Sequence, residues 1–180
     1  MKRDMEFYNE ISNYKINSVM DNIIRGDILI ININILECIS KHKQNRFINE
    51  YLRREIQGKD YYIDSEKIIA TSKTTGKLKN GHTNFERKIN SKIRKEIKAN
   101  IIANLDKIIK ISKIYQKDRI DTKGHSFADR FDRRKCLIEY KKVRYEVMFE
   151  IGKKDNKNTL YGIESVKKTN KKTYSPKSCP

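Results

Sequence analysis

The chain has 180 residues, with 41 Lys and Arg against 23 Asp and Glu, a formal net charge of +18 and a pI near 9.8. That length allows one sizeable core, or a helical half beside a smaller mixed half. The charge calls for a polyanionic partner, nucleic acid first and anionic membrane second, and three widely spaced cysteines without a CxxC pair argue against a disulfide scaffold or a structural zinc.

Abundant Lys, Asn and Ile also fit a low-GC coding bias, which weakens the charge argument without removing it. Residues 113–180 alone hold 19 Lys and Arg against 9 Asp and Glu. They also contain the apolar runs CLIEY, YEVMFEI and TLYGI, so part of this basic surface is expected to fold. Cys38 and His42 stand one helical turn apart, but no second pair completes four metal ligands. MKRDMEFYNEISNY lacks the apolar centre of a secretory signal, and IRGDILIININILECI is too short and too interrupted by Asn to cross a bilayer. The expectation is a cytoplasmic protein with no membrane partner.

Residues 4–24 read as an amphipathic helix with Phe7, Ile11, Tyr14 and Met20 near one face, and Arg25-Gly26-Asp27 as a break. Ile31, Ile33 and Ile35 alternate as a strand would, yet the stripe through Phe47, Ile48, Tyr51 and Leu52 predicts a helix over 36–57. Tyr61–Ile63 and Ile68–Ile69 suggest a short hairpin, and residues 72–82 a loop that divides the chain near residue 80. Phe85, Ile89, Ile93, Ile97, Ile101 and Leu105, spaced by four, predict a long helix with a break near Ser91 or Asn100. Residues 117–135 are polar and turn-rich. Cys136–Tyr140, Arg144–Ile151 and Thr159–Val166 then read as a three-stranded antiparallel meander, followed by a basic tail over 171–180.

No P-loop, GxGxxG, HExxH or GxSxG is present, and no metal or cofactor is expected. Asp129 and Asp132 are three apart, but Arg and Lys neighbours make ion pairing their expected role. The remaining set is His125, Arg130, Arg133, Arg134, Lys153, Thr159 and Tyr161. RNA carries its own nucleophile, the 2′-hydroxyl, so its cleavage needs only proton donors, proton acceptors and cations on the phosphate. His suits the proton work near neutral pH, Arg binds phosphate with two parallel bonds, and Tyr or Thr can position it.

These residues also carry a family resemblance. Residues 124–168, GHSFADRFDRRKCLIEYKKVRYEVMFEIGKKDNKNTLYGIESVKK, resemble the phage-associated nuclease domains of the barnase–EndoU–colicin–RelE type found in polyvalent phage proteins and polymorphic toxins. The shared pattern is a His, an FDxR-like stretch, two strands around a short hairpin, an IG ending the second, and a TLY strand. With the helix ahead of it, the similarity spans about residues 94–168. It implies that His125, Arg134, Thr159 and Tyr161 line an active site, with Arg130, Arg133, Lys153 and Lys154 as nucleic-acid contacts. Arg130 and Arg133 stand where a small residue and an aromatic are expected.

The expected protein is thus α+β: a helical accessory region over 1–80, then a nuclease-like domain over 81–170 made of a helix and a small antiparallel sheet. The expected activity is metal-independent cleavage of RNA by transphosphorylation, with RNA as partner and an acidic immunity or inhibitor protein as a further one. Two alternatives use the same surface: a non-catalytic nucleic-acid-binding module, and a phage-type factor acting on a host defence protein.

Overall fold

The computed structural model describes residues 22–169 and, ahead of them, Asn9 alone. Of the helix expected over 4–24, only Asn9, Asn22, and Ile23 and Ile24, which belong to a strand, are described, and the basic tail expected over 171–180 lies outside the described residues.

One large mixed sheet organises the chain. Its centre is the meander β7 (Arg130–Tyr140), β8 (Val143–Lys154) and β9 (Lys157–Lys168). Hairpins from the first half of the chain extend it on both sides: β1 (Ile23–Arg25) and β2 (Ile28–Ile31) beside β7, and β3 (Asp60–Ile63) and β4 (Glu66–Ala70) beside β9. The order is β1-β2-β7-β8-β9-β4-β3, with β2 parallel to β7 and β4 parallel to β9. Two further strands use the remaining edges. The short β5 (Asn84–Phe85) runs parallel to β9, and β6 (Lys113–Ile120) runs antiparallel to the first half of β7. Three hairpins close on two-residue turns with both residues at positive φ, Asp64-Ser65, Lys141-Lys142 and Asp155-Asn156, the turn whose twist matches paired strands.

Helices pack on one face. α1 (Gln44–Tyr51) continues as a π-helical turn over Leu52–Ile56, α2 is Ser72–Asn80, α3 is Ser91–Ala103 and α4 is Leu105–Ile111. Phe47, Leu52, Ile97, Ile101 and Ile108 meet Ile138, Val147, Phe149, Leu160 and Val166 in one core. Even-numbered β7 residues and odd-numbered β8 residues face these helices, and their neighbours face away, as the pleat requires. Among the described residues no helix is long and apolar enough to cross a membrane.

Several expectations are corrected. A helical first half followed by a helix and a small antiparallel sheet gives way to a nine-stranded mixed sheet to which residues 23–70 supply four strands. The meander read over 136–166 is its middle, not its whole. The helix expected over 36–57 begins only at Gln44. Residues 72–80 are a helix, not a loop: Thr74 Oγ1 accepts from the Thr71 backbone N–H (2.9 Å) and donates to the Leu160 carbonyl, while Leu78 is buried. Tertiary anchoring here overrides a poor helical propensity. The long helix starts at Ser91, capped by Asn90 (2.9 Å to the Ile93 N–H), and Phe85 lies in a strand. Its break falls at Asn104, whose side-chain amide donates to the Asn100 carbonyl at 2.9 Å and competes with the helical ladder.

Candidate functional site

The loop between β6 and β7 is built around one carboxylate. Asp121 accepts from the Lys123 backbone N–H (2.9 Å) and from the His125 backbone N–H, and Gly124 takes a positive φ of 66° between them. This self-bonded Asp turn brings the His125 imidazole back onto the same carboxylate, Nδ1 to Oδ1 at 2.9 Å. The loop then folds over the sheet, with Ala128 buried and the Asp129 N–H donating to the Lys153 carbonyl (3.0 Å). Gly152 makes that approach possible, because a Cβ there would lie 2.8 Å from Ala128 Cβ and 2.9 Å from the Phe127 ring.

On the sheet side, β9 carries two residues more than β8 matches. Ser165 and Ile163 oppose consecutive β8 residues, as do Gly162 and Leu160, leaving Glu164 and Tyr161 as the extra ones. Bulges of this kind re-aim side chains. Both re-aimed residues line one cavity of about 380 Å³, with Lys77, Arg119, Lys123, Arg133 and Glu150 among its other walls.

The loop and the bulge meet at Tyr161. Its hydroxyl lies 2.9 Å from His125 Nε2, and the imidazole is edge-on to Phe127, Phe131 and Tyr161 with ring centroids 5.1–5.6 Å apart. Burial resists ionisation of Asp121, but the Lys123 and His125 N–H groups and the imidazole outweigh it and draw the carboxyl down to about 2. An ionised Asp121 is an acceptor only, so Nδ1 of His125 carries a proton, and in the neutral imidazole Nε2 then accepts from the Tyr161 hydroxyl. The result is a directed Asp121–His125–Tyr161 chain ending at the cavity.

Across the cavity, the Arg119 guanidinium donates to Glu150 at 2.6 Å, and Arg133 spans Glu150 (3.3 Å) and Glu164 (2.5 Å). Burial first, and the Glu150 charge second, push the Glu164 carboxyl above its ordinary range against the two arginines. Arg119 Nε and Glu164 Oε2 are buried with no hydrogen-bond partner among the described residues.

Of the residues singled out from sequence, His125 and Tyr161 are brought together and Arg133 shares the cavity. Thr159 sits two residues from Tyr161, opposite Gly152 in register. Arg134 is elsewhere: it faces the helices, and its guanidinium donates to Ser112 Oγ (3.0 Å) and the Ser112 carbonyl (2.9 Å). Arg130, Lys153 and Lys154 line a different cavity, of about 540 Å³, at the β8–β9 turn. There Lys153 pairs with Asp132 at 2.7 Å and Lys154 with Asp129 at 3.5 Å. Four basic and four acidic side chains wall that cavity, so it offers a polyanion no net attraction.

Sequence reasoning missed Asp121, Glu150, Glu164 and the α2 lysines. The Asp-x-x-Gly-His spacing of 121–125 was the one available signal, as an Asp turn that returns a side chain to its own origin. Among the described residues no group of three or more His, Cys, Asp or Glu is placed to hold a metal ion. Burial pushes the Cys136 thiol up to about 12, so it offers no thiolate nucleophile. No protein-family model matches the chain, and neither the curated proteins nor the solved structures include one similar to it.

Proposed function

We propose that the cavity at Tyr161 binds RNA and cleaves it without metal, by attack of the 2′-hydroxyl on the adjacent phosphate. The observation that carries this reading is the Asp121–His125–Tyr161 chain, which ends at a cavity walled in part by cations. The 2′-hydroxyl proton passes to Tyr161 Oη as the tyrosine proton moves to His125 Nε2. Asp121 holds the imidazole in the accepting tautomer and offsets the charge it gains. The 2′-oxygen bonds to phosphorus, the bond to the 5′-oxygen breaks, and that oxygen takes a proton from solvent. Products are a 2′,3′-cyclic phosphate and a 5′-hydroxyl, and solvent exchange resets His125. Arg134, which the sequence resemblance places in the active site, is not available to the phosphate in this arrangement.

A second reading, binding without cleavage, is favoured by one feature: Arg119 and Arg133, the cavity's guanidinium groups, are already engaged by Glu150 and Glu164. Incubation of the purified chain with total RNA in EDTA separates the two. Cleavage with cyclic-phosphate ends is expected, falling about 10²–10⁴-fold in Tyr161→Phe and His125→Ala while RNA binding persists. Binding with no cleavage by the unaltered chain would leave the second reading standing.

A further inference from the structure

Several cations on β6, β7 and β8 are spent. Arg119, Arg133, Lys153 and Lys154 each have a carboxylate within 4.0 Å, and Arg134 is folded onto Ser112. Lys123 in the loop and two lysines of α2 beside the same site are not. Lys73 and Lys77 are one turn apart on α2, and among the described residues neither has a carboxylate partner. Their ammonium groups sit over aromatic rings of the site, Lys73 4.8 Å from the Phe127 centroid and Lys77 4.9 Å from the Tyr161 centroid. Lys73 also donates to Ser126 Oγ at 3.0 Å. These are neutral partners, so both positive charges remain unbalanced.

Their position is built rather than incidental. Thr74, between them, is fully buried and donates to the Leu160 carbonyl on β9. Gly162, next to Tyr161, has no side chain, and a Cβ there would lie 3.2 Å from Lys77 Cβ. The helix is therefore pinned against the bulged strand, with two unspent charges facing the His125 loop and the cavity.

We infer that α2 is a phosphate-anchoring element, in which Lys73 and Lys77 hold two successive backbone phosphates of a single RNA strand beside Tyr161. This rests on the proposed function for its ligand, and goes beyond it in naming the element and the mode of recognition. Residues four apart on a helix are separated by about 6 Å along its axis, a spacing that suits consecutive phosphates of an extended strand. The lysines cover the Phe127 and Tyr161 rings from the α2 side, so that side cannot stack a base. Recognition at this subsite is of backbone, and is indifferent to sequence.

The test is binding of fully 2′-O-methylated RNA, which lacks the nucleophile and cannot be cut, between 50 and 200 mM salt. Each single-strand phosphate contact contributes about 0.7 to the slope of log affinity against log salt. Lys73→Gln/Lys77→Gln is expected to lower that slope by about 1.4, so that the unaltered chain loses about 7-fold more affinity over this range than the variant does. Lys77→Gln alone should give half that change, Lys73→Arg/Lys77→Arg should restore the slope, and uridine and adenosine oligomers should behave alike. An unchanged slope, a change confined to one base sequence, or no binding by the unaltered chain overturns the inference. If the lysine-dependent slope is found but unmodified RNA is never cut, the nuclease reading falls and the anchoring role stands. If RNA is cut but the slope is unmoved, the reverse holds.

Discussion

Arg133 and Arg134 are neighbours on one strand and do opposite things. Arg134 stands opposite Phe149 in register, faces the helices, and is 7% exposed, with its guanidinium on Ser112. Arg133 stands opposite Glu150, faces away from the helices, and bridges two carboxylates at a cavity. Residue type is the same and sequence separation is one. What differs is the face of the sheet and the residue that the next strand presents. On the helical face a cation is held chiefly by the Ser112 hydroxyl and carbonyl, with the Asp64 carboxylate at 3.5 Å, and serves the fold. On the open face cations and carboxylates balance one another beside polar atoms unpartnered among the described residues, Arg119 Nε and Glu164 Oε2, where a ligand could change the balance.

Truncating each arginine breaks the comparison most directly. Arg134→Ala strands the buried Ser112 carbonyl and removes two charge-assisted bonds, although the Ser112 hydroxyl keeps its bond to the Ile109 carbonyl, for an expected loss of roughly 3 kcal/mol. Arg133→Ala removes partly solvated ion pairs and should cost no more than about 1 kcal/mol. Its main effect should fall on RNA affinity, through Glu164 left without its cation while Glu150 keeps Arg119. Urea unfolding of both variants reads the difference, and equal losses would mean that the two faces are not distinct in the way described.

A change beneath the site should come next. In Gly152→Ala the new methyl must displace Ala128 and Phe127, whose atoms lie 2.8 and 2.9 Å from its position. The expected cost is about 2 kcal/mol. The loop should lift and the hydrogen bond between His125 and Tyr161 should break, so cleavage should fall further than stability alone explains. Gly162→Ala is milder, with its methyl 3.2 Å from Lys77 Cβ, and should move α2 while leaving the His125 loop in place. If Gly152→Ala keeps its activity, the loop is not seated by that glycine.

How much of this was legible follows from where each element lies. Tyr145, Val147 and Phe149 alternate because they are half of a strand with one face in the core, and the central meander could be read from them. β6 could not be: KIYQKDRI is exposed along nearly its whole length, so no apolar period marks it. β1 and β2 were hidden by a turn read as a mere break, Arg25-Gly26-Asp27, in which Gly26 has a positive φ. In the site, His125 and Tyr161 were readable by chemical type. Lys77 was not, because its helix is held by tertiary contacts that local propensity does not encode. Arg134 was placed in the site by the family resemblance alone; a one-residue difference in register exchanges the faces of a strand, and the sequence pattern does not reveal which face is covered.

The smallest effect isolates the loop from the rest of the open face. The Asp121 carboxyl sits at about 2 in the folded chain, against about 3.9 for an unperturbed Asp. Its ionised form is therefore bound more tightly by the fold than by the unfolded chain. That contribution is fully present above about pH 4 and is lost as pH falls from there toward 2. Asp121→Asn removes it, so the variant should be less stable at about pH 5–7 and should lose less stability than the unaltered chain between about pH 4 and 2. Thermal midpoints across that range make the measurement, with the two curves converging at the acid end. Parallel curves would show that Asp121 gains nothing from the Lys123 and His125 N–H groups. The loop geometry that presents His125 to Tyr161 would then need another cause.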